Sequence, residues 1–119
     1  MNGVREKARR YVYHLQEAEK LAMEIGDAIE NALKPLIPDI SYSIGWEEAP
    51  CIDVIAFESS TMMRRVIPAL HGLLGRVVDL EDIIEQEFPE LTDHVRAPFG
   101  IYIPESMVPA VKAALTKIK

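Results

Sequence analysis

The 119-residue sequence predicts one α+β domain, a three-stranded, mainly antiparallel sheet packed by a long N-terminal helix and further helices, in the order α-β-β-α-α-β-α. Three observations carry this: a four-three apolar repeat through the first third, an alternating segment and an apolar run on either side of a short turn between residues 40 and 57, and short helical patterns around one more alternating segment afterwards. The length suits a single core. With 49% hydrophobic and 27% charged residues, the composition is close to the globular average and far from that of disordered chains, so a packed fold is expected over residues 1–119.

In the first element Val4, Ala8, Tyr11, Leu15, Ala18, Ala22, Ile25, Ile29 and Ala32 recur at steps of four and three, which predicts an amphipathic helix from about Val4 to Lys34. Pro35 and Pro38 end it, because proline lacks an N–H and biases the preceding residue away from helix. The same spacing is a heptad repeat, so self-association through this helix stands beside packing on the chain's own sheet. The alanines favour close packing on the sheet, and Gly26, off the stripe, weakens the helix locally.

Ile40, Tyr42, Ile44 and Trp46 then alternate with Ser41, Ser43 and Gly45, as a half-buried strand does. Glu47-Glu48-Ala49-Pro50 forms the turn. Ile52 to Phe57, with Asp53 as its only charge, pairs back as the more buried strand of an antiparallel hairpin. Ser59 or Ser60 caps a second helix with its stripe running from Met63 to Val77, broken near His71 to Gly75 by Pro68, Gly72 and Gly75. A third helix runs from about Leu80 to Phe88 and stops before Pro89. Phe99, Ile101 and Ile103 alternate as the third strand, and a last helix starts at about Met107 with Pro109 tolerated in its first turn.

The net charge of -6 repels phosphate and argues against nucleic acid as a partner. The charged first ten residues do not form a signal peptide, no apolar run approaches the ~18 residues that span a bilayer, and Cys51 alone makes no internal disulfide. Together these point to a cytoplasmic, non-membrane protein. No Gly-x-Ser-x-Gly elbow, phosphate-binding glycine loop or zinc-ligand set is present, so neither a catalytic residue nor a cofactor is assigned, and no metal. Cys51, after Pro50 at a strand start, is expected to be a small buried thiol. An unfamiliar active site would draw on Asp53, His71 and His94.

The segment from Asp79 to Asp93 holds seven carboxylates in fifteen residues and no basic residue. Glu81, Asp82, Glu85, Glu87 and Glu90 are the candidate partner-binding residues, a recognition face for a basic surface on another protein, as in a small regulator, inhibitor or immunity-type protein. A solvated helix exterior explains the same acids, and the early ones suit a helix N-terminus. Glu81 and Glu85, one helical turn apart, with His94 nearby only sketch a metal site, since no second helix offers a Glu-x-x-His pair. Arg5, Lys7, Arg9 and Arg10 make the opposite end of the chain basic and oppose the helix macrodipole. That placement suits contact with another molecule, such as another copy's acidic segment, and so an assembly subunit of a phage particle or other multi-copy complex.

The break Gly72-Leu73-Leu74-Gly75, preceded by helix, two strands and helix, resembles in its order of elements a type II KH domain. The resemblance implies single-stranded RNA binding by that loop, with Arg64, Arg65 and Arg76 as basic support. Leucines stand where that family offers a basic residue, and the next helix is acidic.

Overall fold

In the computed structural model, residues 2–56 and 77–118 are described. Helix α1 spans Asn2–Leu33, about 48 Å at 1.5 Å per residue. It ends where Leu36 and Ile37 donate their amides to the Leu33 carbonyl, between the two prolines. Strands β1 (Ile40–Trp46) and β2 (Pro50–Ala56) form the expected antiparallel hairpin, pairing Ile40 with Ala56 and Trp46 with Pro50. As expected, β2 is the more buried.

The third strand of this sheet is not the expected one. Strand β4 (Val95–Arg96) pairs parallel to β2, Ile52 beside Val95 and Asp53 beside Arg96, so the sheet is mixed, in the order β1-β2-β4. The 99–103 alternation is interrupted at Gly100, whose φ of 70° glycine adopts readily. Phe99 is left exposed, Ile101 and Ile103 are buried, and β5 (Tyr102–Pro104) pairs antiparallel with β3 (Val77–Asp79) in a separate two-stranded ribbon. Val77, assigned to the second helix by its apolar stripe, therefore lies in a strand. The rest of that helix, Phe57 and the break near His71 to Gly75 lie outside the described residues.

Helix α2 (Leu80–Glu87) is the expected third helix. Asp79 caps it, its Oδ1 accepting the Glu81 amide at 3.0 Å, and Leu80, Ile83 and Ile84 are buried. A 3-10 turn at Pro89–Leu91 follows. Helix α3 (Val108–Thr116) starts after a 3-10 turn at Glu105–Met107, with Pro109 in its first turn. Ile29, Leu33 and Ile37 join Ile52, Val54, Ile83, Val111 and Leu115 in one core. It lies between the sheet, the C-terminal half of α1 and the helices α2 and α3.

Candidate functional site

The expected stripe of α1 divides at Ala22. Beyond that point the buried residues are Ala22, Gly26, Ile29 and Leu33, one position round from the expected Ile25 and Ala32. The shift has a local cause: a Cβ on Gly26 would stand 2.5 Å from the Tyr42 ring, so glycine is what lets β1 approach the helix so closely. The Tyr42 hydroxyl sits 2.7 Å from Asp27 Oδ1 and 2.9 Å from the Met23 carbonyl oxygen, its one proton shared between these acceptors. The hydrogen bond to the Asp27 carboxylate, followed by desolvation, pushes the phenol up to about 12.

Before Ala22 nothing from Gly3 to Leu21 is buried. Val4 is 72% exposed and Tyr11 63%, and Val12, Tyr13 and Leu21 also face water. This half of the helix is an arm. The radius of gyration is 17.1 Å, against about 13.5 Å for a compact domain of this length, and the longest dimension is 67 Å. Expected packing of the whole stripe on the sheet is thus realised only for its C-terminal half.

The arm also changes sign along its length. Arg5, Lys7, Arg9 and Arg10 outweigh Glu6 near the tip, whereas Glu17, Glu19 and Glu24 outweigh Lys20 near the body. Where α1 enters the body, Ile25, Ala28, Phe88 and Leu91 line an apolar groove of about 390 Å³ with Glu24 and Glu90 at its edge. A second hollow of about 700 Å³ continues between α1 and α3, lined by alanines and by Ile118, which both share.

The five acidic candidates do not act alike. Glu81 Oε1 accepts the Ala97 amide at 2.9 Å, fixing the chain as it leaves β4. Glu87 Oε2 lies 3.2 Å from the Thr116 hydroxyl, linking α2 to α3. Asp82 and Glu90 are exposed and Glu85 is half-buried. Two of the five therefore make contacts inside the domain. Burial raises the neighbouring Asp79 carboxyl above its usual range, while its cap hydrogen bond pulls the other way.

On the other face of the sheet, Arg96 donates through Nε to Asp53 and through Nη1 to Glu47, and the two carboxylates hold the guanidinium charged, well above its usual range. Nothing in the sequence pointed to Arg96, because Asp53 is 43 positions away. Beside it, Glu47, Cys51, Asp93 and His94 line a hollow of about 480 Å³. Cys51 is buried and free, as expected, and desolvation raises its pKa, which disfavours the thiolate that a nucleophile needs. Of the three residues sketched for an active site, Asp53 is paired with Arg96, His94 is exposed and His71 lies outside the described residues.

Among the described residues no group of three or more His, Cys, Asp or Glu side chains is arranged to hold a metal ion, and no helix is long and apolar enough to cross a membrane. The Gly72–Gly75 loop of the KH resemblance lies outside them. After it, the three-residue strand β3 precedes α2, the helix that the resemblance places next. Comparison with family models, curated proteins and solved structures gave no match.

Proposed function

We propose that this is a non-enzymatic protein-interaction module that works through the projecting half of α1, as an assembly subunit in a reducing, cytoplasmic setting. The observation that carries this is the exposed apolar stretch from Val4 to Leu21, held away from the body on a continuous helix. No residue from Gly3 to Leu21 is buried, so the packing of an amphipathic face that stabilises most helices in proteins is missing there, and a basic first turn weakens the helix further. A partner that covers Tyr11 and Leu15 supplies the missing burial, worth about 25 cal/mol per Å² of apolar surface removed from water.

The test is affinity purification of the full chain from its native host beside a Tyr11→Glu, Leu15→Glu variant. The variant is expected to lose co-purifying protein, including untagged copies of the chain. If both recover the same proteins in the same amounts, the arm is not the contact element.

The acidic face offers a second contact, narrowed by the internal roles of Glu81 and Glu87 to Asp82, Glu85 and Glu90. Its support is the exposure of Asp82 and Glu90. Changing both to Lys is expected to slow association with a basic partner at low salt and to leave the slower, high-salt rate unaltered. An unchanged low-salt on-rate removes this contact.

A further inference from the structure

We propose that the arm's partner is a second copy of the same chain, lying antiparallel to it with a two-fold axis beside Tyr13; this rests on the arm being the interaction element. The seam is Ala8, Tyr11, Leu15 and Ala18, whose alternating three- and four-residue spacing keeps one stripe turned toward a neighbouring helix. About that axis Tyr11 meets Leu15 of the second copy and Ala8 meets its Ala18, each layer occurring twice by symmetry. Large side chains fill the centre. Alanines let the helices close together on either side of it.

Charge chooses the orientation. A parallel pair sets Arg5, Lys7, Arg9 and Arg10 of one copy beside the same residues of the other, and groups Glu17, Glu19 and Glu24 at the far end. The antiparallel pair lays each basic tip along the other copy's acidic stretch, with Arg5 flanking the seam opposite Glu19, and sets the two helix dipoles against each other.

Charge and burial together choose the register. Sliding the copies one heptad outward sets Arg5 opposite Val12 in place of Glu19 and leaves Ala18 beyond the seam. Sliding them one heptad inward drives Tyr11 onto Ala22, which is only 8% exposed because the chain's own body covers it. With the axis beside Tyr13, only Val4 at the frayed end of the stripe falls level with Ala22, and the packed seam stops at Ala8 and Ala18, short of the point where the body takes over the stripe. Each tip then ends beside the exposed Met23 and Ile25 of the other copy, at the groove edged by Glu24 and Glu90.

The experiment is sedimentation of the purified full chain over a range of concentrations, with the charge variants and a cross-linking pair. The chain is expected to reach dimer mass, and Arg5→Glu or Glu19→Arg alone to weaken the dimer about tenfold at low salt, because two flanking pairs per dimer become repulsive. The chain carrying both changes is expected to recover. In a Cys51→Ser background, oxidation of mixed Ala8→Cys and Ala18→Cys chains is expected to give the mixed disulfide; disulfides joining Ala8→Cys to itself mean a parallel pair and overturn the proposal. A chain that stays monomeric overturns it too, and if the Tyr11→Glu, Leu15→Glu variant still loses partners in the host, the arm survives as an interaction element. A dimer indifferent to that double variant overturns both.

Discussion

The two halves of α1 carry the same kind of apolar stripe and meet different fates. From Ala22 onward the stripe is sealed against β1 and the core, down to Leu33 with no exposure at all, whereas from Val4 to Leu21 no residue is buried and Leu15 is only half-covered. Periodicity therefore says which face of a helix seeks burial and is silent on what buries it. One feature marks the difference: Gly26 gives Tyr42 a place to lie, whereas the arm's glycine, Gly3, has nothing within 4 Å.

The largest contrast should come from matched truncations. Leu33→Ala is expected to cost the folded chain about 2–5 kcal/mol, while Leu15→Ala leaves body stability within about 0.5 kcal/mol, both read from urea unfolding followed by Trp46 fluorescence. Equal losses erase the distinction between arm and body.

A smaller contrast lies in the two helical glycines. Gly26→Ala should destabilise by about 1–3 kcal/mol, since the new methyl forces the Tyr42 ring aside. Gly3→Ala meets nothing within 4 Å and should be neutral or gain up to about 1 kcal/mol of helix propensity. A stabilising Gly26→Ala means the ring moves at no cost.

The smallest concerns the clasp at the boundary. The Tyr42 proton is held more firmly in the folded chain, its pKa raised from 10.0 to about 12, so the clasp's contribution is complete below the unfolded value. It fades as pH rises through the folded one. Alkaline unfolding of the wild type and Tyr42→Phe should therefore converge between about pH 10 and 12; a constant difference across that window shows that the hydroxyl bond is not the cause.

Much of the fold was legible because its signals are local. The hairpin, the stop at Pro89 and the prolines after α1 depend on residues within a few positions of one another. Strands of two or three residues leave no such trace. Val95–Arg96 is too short to alternate and contains an arginine, and Val77 fits a helical stripe as well as a strand. The sealed stripe was misplaced by one residue because glycine is not counted as apolar, although here its smallness is what packs. The acids of α2 were visible as a cluster, but which of them the domain uses depends on the Ala97 amide and the Thr116 hydroxyl, far along the chain. The Arg96 bridge was hidden by the same distance in sequence.

α1 crosses from body to tip without a proline, and that gives it the property of a crankshaft. Each residue added or removed near Gln16 turns the tip about 100° and moves it ~1.5 Å relative to the sheet. Seven residues bring the face back to within about 20° and lengthen the throw by roughly 10 Å. Any assembly built on the arm therefore inherits its spacing from the number of residues in the helix and its angle from that number's remainder after whole turns.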